Sequence, residues 1–571
     1  MEKDDVNNVR RSIDNNNSIN VSRRSAHYQP NQWDYNTIQT ITNNFMEEAY
    51  GLSAKELKEE VRALLTETDP VVQVKLIDSI ERLGLGYHFV EEIERLLNNM
   101  LISGYHKVVQ KDGLHVTAVL FRLFRQCGFM ISQDIFDHFK DVNGSFKASL
   151  SHDAKGLLSL YQASYLSFKE EITMDAARAF AVTHLKTLDA SKLRFAKEIA
   201  DVMELPSHWR PTRLEARRYI DTYEKEEDTN SALLLFAKLD FNMVQNVHQR
   251  ELAKVTSWWM GLSLGKTLEF ARDRTLECFF VVIIIVFQPH FGYSREGLTK
   301  VITLMVLLDD VYDVYGSLDE LELFTRAVER WEVEELENLP ECMKICFTNI
   351  SNLVGEMTVD FQKSNGLTIL PYLRKAWTDI CKAFLVEAKW QNDNYVPTFE
   401  EYINNGWMSV SGPLILLHTF PLMGQEITVK ALEHLENYPK IIRLASKIFR
   451  LYNDLATSTA ELERGDSVSS IQCYMRESGD SEVEARKHIS SLIFETWKEL
   501  NEEAILCSSL PRFFIEACVN LGRMAICLYQ HGDGFGIPTH DTKAHITSLL
   551  MKPISLQSKE LQTPINNVVA K

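Results

Sequence analysis

Residues 306–315, VLLDDVYDVY, place three carboxylates inside an otherwise apolar run. The run is too long for one strand and ends at Gly316, so it predicts the end of a buried helix. Residues four apart share a helix face, which puts Asp309 beside Asp313, with Asp310 about 100° round the axis. Carboxylates in an apolar wall repel one another unless a cation compensates their charge. The stretch predicts an all-oxygen Mg²⁺ or Mn²⁺ site, although a helix end turning into solvent would leave the same pattern.

A second stripe of oxygen ligands follows in residues 447–461, KIFRLYNDLATSTAE, which also predict a helix. Asn453, Thr457 and Glu461 are spaced four apart and therefore lie on one helix face. Two such stripes on facing helices could hold metal ions between them, and a substrate diphosphate would complete the coordination. Each motif alone is weak evidence, but the pair in this order indicates a metal–diphosphate site.

These motifs resemble those of the plant terpene synthases, and the resemblance extends over nearly the whole chain. The aspartate-rich motif of that family matches residues 309–313, and its second metal motif matches the stripe described above. The arginine pair that precedes the first motif matches Arg272 and Arg274. Near the amino end, Arg23-Arg24 and Trp33 match the paired-arginine and tryptophan motif of the angiosperm monoterpene synthase branch, which includes isoprene, ocimene and α-farnesene synthases.

The resemblance implies an all-α class I enzyme with an amino-terminal α-barrel-like helical domain and a catalytic carboxyl-terminal helical bundle. It also implies three Mg²⁺ ions, with Mn²⁺ as an alternative, and a prenyl diphosphate substrate. The metal ligands that it implies are Asp309, Asp310, Asp313, Asn453, Thr457 and Glu461. The catalytic and diphosphate-binding residues are Arg272, Arg274, Asp309, Asp313, Arg450, Asn453, Tyr529 and Asp533. The residues expected on the substrate wall are Val281, Ile284, Ile302 and Phe535.

The chain divides into two predicted helical blocks. Residues 23–228 show short amphipathic patterns and no catalytic candidate, so we expect a scaffold. By resemblance, its amino-terminal strand would fold over the catalytic block and help to close it. Residues 229–558 contain every chemical candidate. Residues 1–22 and 559–571 are predicted tails; the first is polar, contains several acids and lacks the features of a plastid leader. We therefore expect a cytosolic protein, with a plastid location as the alternative if the sequence is truncated.

Composition limits the partners of the chain. The net charge of -18 over 571 residues argues against nucleic acid and anionic membranes, which both require a basic face. The longest apolar run, residues 278–287, is half of what a membrane span needs. The nine cysteines are scattered and predict reduced thiols of an intracellular protein, which we expect to be a monomer.

Two further segments predict the borders of a pocket. Residues 532–536, GDGFG, lack the spacing of a nucleotide-binding loop and predict a mobile loop; by resemblance this loop closes over substrate. The pair Gly412-Pro413 interrupts an apolar helix and predicts a kink, which in the family borders the pocket floor.

Departures from the family pattern bear on the product. Relatives commonly carry a tryptophan and a glycine where this chain has Val281 and Ile284, and many cyclising relatives carry lysine where it has Ser469. The α-farnesene synthases resemble this chain at Val281 and Ser469. This comparison favours deprotonation without ring closure, so we predict conversion of farnesyl diphosphate to an acyclic, farnesene-type sesquiterpene.

Three other functions were weighed against this prediction. The nearest alternative uses geranyl diphosphate and forms ocimene, myrcene or linalool. A chain-elongating prenyltransferase would need a second aspartate-rich motif, which residues 453–461 do not provide. A non-catalytic helical binding protein could keep the fold, but it would have little reason to retain both metal stripes.

Overall fold

The computed structural model describes residues 28–66, 69–188, 196–332, 336–424, 427–464 and 468–556. Within these ranges the chain is helical, and the β pairing found there is one isolated antiparallel bridge between Lys140 and Phe146. The predicted all-α class is confirmed. The predicted tails 1–22 and 559–571 lie outside the described residues.

The helices of the first block are α1 (Tyr35–Ile38), α2 (Glu47–Leu65), α3 (Pro70–Arg82), α4 (Val90–Ser103), α5 (His106–Gln126), α6 (Ala154–Ser164), α7 (Ile172–Leu185), α8 (Ala196–Glu204) and α9 (Thr212–Tyr223). The helices of the second block are α10 (Ser231–Leu262), α11 (Leu264–Thr267), α12 (Thr275–Ile285), α13 (Gly292–Asp310), α14 (Leu318–Arg330), α15 (Glu341–Asn365), α16 (Leu370–Asn392), α17 (Phe399–Ser409), α18 (Gly412–Leu422), α19 (Val429–Glu436), α20 (Lys440–Arg464), α21 (Ser470–Ser478), α22 (Glu482–Leu506), α23 (Arg512–Tyr529) and α24 (His540–Leu550). The predicted division near residue 228 falls in the connection between α9 and α10, and the domain boundary itself stays a prediction.

The first block follows the amphipathic pattern of its sequence. Helix α4 buries Ile93, Leu97 and Met100, which lie on one face at spacings of four and three residues. Burial of each such side chain contributes about 1.5–3 kcal/mol relative to exposure. Helix α3 begins where Asp69 accepts a hydrogen bond from the backbone N–H of Val71. These helices form a packed scaffold beside the second block.

The second block has helix α12 at its centre. All eleven residues of α12 are buried, and the helix packs against α10, α13 and α23. A helix that is apolar on every side is stable only inside a core, which explains the long apolar run of the sequence. In the described part of the chain, no helix combines the length and the apolar character that crossing a membrane requires.

The aspartate-bearing helix ends in an unusual turn. Helix α13 continues into a π-helix over Val311–Tyr315, in which the Gly316 N–H donates to the Val311 carbonyl five residues back. A β-carbon at Gly316 would lie 2.4 Å from Leu321 Cδ2, so a larger residue at this turn would have to displace the Leu321 side chain. The predicted buried helix end is confirmed, and its wider final turn is a difference from the regular helix that the sequence predicts.

The predicted break at Gly412-Pro413 is present. Ser411 adopts a left-handed conformation with φ of 70° between α17 and α18. A β-carbon at Gly412 would lie 2.4 Å from Ser446 Oγ, so the glycine allows α18 to pack closely on α20. Helix α20 in turn contains the whole of the predicted helical segment 447–461.

The two blocks meet across polar contacts and a cavity. His208 Nε2 lies 2.8 Å from Asn501 Oδ1, and Arg523 Nε donates to the His208 carbonyl at 2.8 Å. A cavity of about 480 Å³ lies beside these contacts, and its walls include Glu81, Arg122, Phe287, Phe513, Glu516 and Arg523. Glu81 lines this cavity and is partly buried between the blocks.

Candidate active site

One cavity in the second block brings most of the predicted site residues together. It has a volume of about 240 Å³ and is walled by α12, α13, α16, α17, α20 and α23. The predicted residues that line it are Arg272, Val281, Ile302, Asp309, Asp313, Arg450, Asn453, Thr457, Glu461, Tyr529, Asp533 and Phe535. Arg274, Ile284 and Asp310 are the predicted residues that do not line it.

The two oxygen stripes share this cavity. Asp309 lies in the last turn of α13 and Asp313 lies in the π-helix, while the second stripe projects from α20. The Thr457 hydroxyl donates to the Asn453 carbonyl at 2.9 Å, so its lone pairs remain available as a ligand. The spacing-based prediction that both stripes face one site agrees with this placement.

The donor set suits a hard cation that is shared with a substrate. Among the described residues, no three His, Cys, Asp or Glu side chains are grouped closely enough to hold a metal alone. The stripes add amide and hydroxyl oxygens from Asn453 and Thr457 to the carboxylates. Mg²⁺ is typically held by one or two carboxylates together with water and substrate phosphates, so the residues present fit this ion.

Arg272 links the arginine pair to the aspartate-rich motif. Its guanidinium NH2 lies 2.5 Å from Asp309 Oδ2, and its Nε lies 2.8 Å from Asp310 Oδ1. The Arg272 backbone N–H also donates to Asp310 Oδ2 at 2.7 Å. These contacts raise the pKa of Arg272 despite its burial, so it carries a permanent positive charge at the cavity wall.

Asp310 is placed differently from the prediction that it binds metal. Its side chain is fully buried and faces Arg272, because its position on the helix turns it away from the cavity. Burial raises the pKa of Asp310 to about 6, while the charge of Arg272 opposes that rise. Asp310 is therefore paired with Arg272 in this structure, and its role as a metal ligand stays a prediction.

Arg274 is also placed differently from the prediction that it binds diphosphate. Its side chain is only 2% exposed and donates to three backbone carbonyls, those of Asp273, Gln29 and Gly536. Two residues apart in sequence, Arg272 and Arg274 point in different directions. Only Arg272 of the pair reaches the cavity.

Val281 and Ile302 lie on the apolar wall, as predicted. Ile284, one turn further along α12, is buried but does not line the cavity. Ser469 caps α21 and bonds to Ser458 Oγ at 3.0 Å, whereas its neighbour Val468 lines the cavity.

The segment before α1 covers the cavity from outside. Trp33 Nε1 donates to Glu277 Oε1 at 2.8 Å, and the Tyr35 hydroxyl donates to Asp273 Oδ1 at 2.5 Å. Tyr28 lines the cavity with its ring 4.7 Å from the Arg272 guanidinium carbon. The predicted Arg23-Arg24 pair lies outside the described residues.

The predicted loop at residues 532–536 closes another side of the cavity. Asp533 Oδ1 accepts hydrogen bonds from the backbone N–H groups of Phe535 and Gly536, at 3.1 and 2.8 Å. These bonds hold the turn in shape while Asp533 and Phe535 face the cavity. Burial raises the pKa of the neighbouring Tyr529 above its ordinary value.

Comparison with known families decides what this arrangement is. Residues 32–203 match the family described as terpene synthase, N-terminal domain, and residues 260–499 match the terpene synthase family, metal binding domain. The chain belongs to the terpene synthase family. The resemblance seen in the sequence motifs is thereby confirmed, together with the two-part helical architecture.

Relatives of this synthase match it over nearly their whole length. It is 50% identical to (-)-alpha-terpineol synthase of Vitis vinifera over 544 residues, which cover 95% of this chain and 92% of that protein. It is 46% identical to a chloroplastic myrcene synthase of Quercus ilex, covering 94% and 91% of the two chains. A crystal structure of isoprene synthase from grey poplar, in complex with three Mg²⁺ ions and dimethylallyl-S-thiolodiphosphate, has a TM-score of 0.84 at 42% identity, covering 92% and 99%.

Several cavity residues of the synthase carry no sequence signal. Glu387 of α16 lines the cavity, accepts a hydrogen bond from Ser409 Oγ at 2.5 Å and lies 3.8 Å from Arg450 NH2. Burial raises the pKa of Glu387, and Arg450 partly offsets that rise. Arg450 itself is fixed by hydrogen bonds from Nε to the Gly406 carbonyl at 3.0 Å and from NH2 to Ser409 Oγ at 2.7 Å. The unpredicted aromatic and apolar residues on the walls include Tyr28, Met305, Phe384, Tyr402, Phe449 and Met524.

Proposed function

We propose that this terpene synthase is a Mg²⁺-dependent carbon–oxygen lyase that ionises geranyl diphosphate and releases a monoterpene and diphosphate. The observation that carries the proposal is the pair of oxygen stripes on α13 and α20, which face one cavity whose remaining walls are largely apolar and aromatic. Such a cavity can bind a charged head group at one end and a hydrocarbon chain at the other.

The proposed substrate has a shorter hydrocarbon chain than farnesyl diphosphate, the substrate that the sequence predicts. The products named for the two relatives, α-terpineol and myrcene, are ten-carbon compounds. The cavity volume of about 240 Å³ is also below the usual range of about 300–1,000 Å³ for ligand sites. Both points favour the geranyl diphosphate alternative over a fifteen-carbon substrate.

Metal binding is assigned to the residues that line the cavity. Asp309 and Asp313 would hold Mg²⁺ on one side, and Asn453, Thr457 and Glu461 would hold it on the other. When bound, Mg²⁺ supplies Lewis-acid stabilisation of the negative charge that develops on the diphosphate. The isoprene synthase structure contains three Mg²⁺ ions and a diphosphate analogue, which supports the same type of site here.

Two arginines complete the charged end of the cavity. Arg272 and Arg450 both line it and keep their positive charge, because each is surrounded by carboxylates that raise its pKa. We assign them to the diphosphate, which they would bind through charge-assisted hydrogen bonds. Departure of the diphosphate breaks the carbon–oxygen bond of the substrate and leaves an allylic cation.

The rest of the cavity protects and guides that cation. Phe384, Phe449 and Phe535 present ring systems whose faces stabilise positive charge, and their bulk excludes water. The reaction ends when a weak base, such as the departed diphosphate, removes a proton. Because Val281 offers no aromatic face, we propose early deprotonation and an acyclic product.

The location and assembly of the protein are also proposals. The word chloroplastic in the name of the Quercus ilex relative favours a plastid location over the cytosol that the sequence predicts. We propose that the protein is a monomer with a domain boundary near residue 228. Imaging of the full-length protein fused to a fluorescent protein in leaf cells would decide the location.

Product analysis tests the proposed reaction. The purified protein is incubated with geranyl and with farnesyl diphosphate, each with Mg²⁺, with Mn²⁺ and with EDTA, and the products are measured by gas chromatography. We expect a higher kcat/KM for geranyl diphosphate, mainly acyclic monoterpenes, and no turnover in EDTA. A higher kcat/KM for farnesyl diphosphate would restore the sesquiterpene assignment, and turnover in EDTA would rule out the metal site.

A further inference from the structure

Arg274 connects two segments that cover the cavity and that are distant in sequence. Its NH2 group donates to the Gln29 carbonyl at 2.8 Å and to the Gly536 carbonyl at 2.8 Å. Gln29 belongs to the segment before α1, and Gly536 belongs to the loop after α23. Both residues also line the cavity. One guanidinium nitrogen therefore joins the two parts of the cover directly.

Among the described residues, the neighbours of Arg274 hold the amino-terminal segment. Asp273 accepts hydrogen bonds from Asn31 and Tyr35, and Glu277 accepts one from Trp33. All three donors lie in the amino-terminal segment, residues 28–35, which ends at the first residue of α1. Arg274 is the residue of this turn that also holds the loop, because its side chain reaches the Gly536 carbonyl.

The two arginines of the motif contact consecutive residues of the amino-terminal segment in different ways. The Arg272 guanidinium lies over the Tyr28 ring, whereas Arg274 binds the Gln29 backbone. Arg272 also forms an ion pair with the carboxylate of Asp309 in the cavity, and Arg274 also donates a hydrogen bond to the loop. The charge of Arg272 therefore lies at the cavity, where the substrate would bind. The buried charge of Arg274 lies between the segments that cover the cavity.

We propose that Arg274 is a positioning residue that makes the amino-terminal segment and the 532–537 loop cover the cavity as one unit, and that it thereby limits the access of water to the reacting cation. The consequence for products rests on the proposed function. The connection itself does not, because it depends only on the three hydrogen-bonding partners of a buried side chain. A lysine at this position has one nitrogen in place of the planar fork, so it cannot reproduce the arrangement of donors.

The test compares Arg274→Lys and Arg274→Gln with a matched control, Arg210→Lys. Arg210 is a largely buried arginine whose NH2 group likewise donates to two carbonyls, those of Asp201 and Leu205, within the first block. Three quantities are measured: the KM for geranyl diphosphate, the ratio of terpene alcohols to hydrocarbons, and amide hydrogen exchange in residues 28–35 and 532–537.

We expect both Arg274 variants to exchange amide hydrogens faster in both segments and to raise the alcohol fraction by about twofold or more, since water then reaches the cation. The KM should change by less than about threefold, because Arg274 does not touch the cavity. Arg210→Lys should change neither the product ratio nor the exchange of the two segments.

Three results would overturn the proposal. A KM raised by about tenfold with an unchanged product ratio would make Arg274 a diphosphate ligand. Faster exchange in one segment alone would show that the segments are not coupled. Identical product ratios and exchange in the Arg274 and Arg210 variants would reduce Arg274 to a general structural role. If the wild type converts no prenyl diphosphate, the proposed function fails, whereas the exchange measurement still tests the connection.

Discussion

The Arg272 guanidinium lies 2.5 Å from the Asp309 carboxylate, so a residue assigned to the diphosphate is paired with a residue assigned to the metal. The pairing offsets part of the negative charge that the aspartate-rich motif places in an apolar wall. A metal ion that binds Asp309 must compete with this arginine for the carboxylate. Arg272 would then be available to the diphosphate that arrives with the metal, which couples the two binding events.

The aspartates of the first stripe give the strongest prediction. Asp309→Ala or Asp313→Ala should lower kcat by about 100-fold or more without unfolding the protein, because each removes a proposed metal ligand from the surface of the cavity. Turnover and circular dichroism are measured together. The exposed Asp393 provides the control, since Asp393→Ala removes the same charge just after the end of α16. Wild-type turnover of both stripe variants with the same Mg²⁺ dependence would contradict the metal assignment.

The second stripe is tested by titration with metal. Glu461→Ala should raise the Mg²⁺ concentration needed for half-maximal rate by about tenfold, because it removes the carboxylate of that stripe. The exposed Glu433 serves as the control through Glu433→Ala. Superimposable titration curves for wild type and Glu461→Ala would show that this stripe does not bind metal.

Val281 tests the shape of the apolar wall. Val281→Trp should reduce the volume of the cavity and offer the cation an aromatic face, a gain of about 0.5–2 kcal/mol. Turnover of farnesyl diphosphate should fall relative to geranyl diphosphate, and cyclic products should increase.

Ile284 supplies the control for that substitution, because it is buried on the same helix but does not line the cavity. Overpacking costs about 1–3 kcal/mol of stability at either position. Melting temperatures therefore report packing for both variants, and product profiles should change only for Val281→Trp. The same product profile in Val281→Trp and wild type would remove Val281 from the choice of product.

The partly buried carboxyl of Glu81 makes stability depend on pH. Burial raises the pKa of Glu81 from 4.5 to about 7. The negative charges of Glu516 and Asp78 add to this rise, and the positive charges of Arg122 and Arg512 oppose it. Because the folded-state pKa is the higher one, the folded protein loses stability as the pH rises through about 7. The loss is at most about 3.5 kcal/mol, since one pKa unit corresponds to about 1.4 kcal/mol.

Glu81→Gln should therefore melt at a higher temperature than wild type at pH 8, and the difference should shrink towards pH 5. Thermal melts across this range measure the effect. The exposed Glu91 provides the comparison, because Glu91→Gln should leave the melting temperature nearly unchanged at every pH. A Glu81→Gln difference that is constant with pH would contradict the raised pKa.

The sequence predicts the site best where ligands repeat along one helix. Because residues four apart share a helix face, the spacing of Asn453, Thr457 and Glu461 predicts that they point in the same direction. All three line the cavity. The same rule separates Asp310 from its neighbours by about 100°, and the structure turns that carboxylate onto Arg272. Its assignment as a metal ligand came from the family motif, which does not specify direction.

Other parts of the site depend on tertiary packing and have no local pattern. Tyr28 and Glu387 are single side chains on separate elements, and they meet at the cavity only because of how the chain folds. Arg274 could not be oriented from a two-residue spacing, because its partners lie about 245 and 262 residues away. The length of the substrate cannot be predicted from a local sequence pattern either, since many helices contribute to the shape of the cavity.

The π-helix at Val311–Tyr315 makes the number of residues in the aspartate motif as important as their identity. Its wider turn behaves as a one-residue insertion in an ordinary helix. Deleting Val311 or Tyr312 would let the helix return to regular geometry and would leave the two aspartates that line the cavity three residues apart instead of four. The spacing of the two aspartates therefore depends on the length of the segment between them. Alignments that place a gap between Asp309 and Asp313 would join positions that point in different directions.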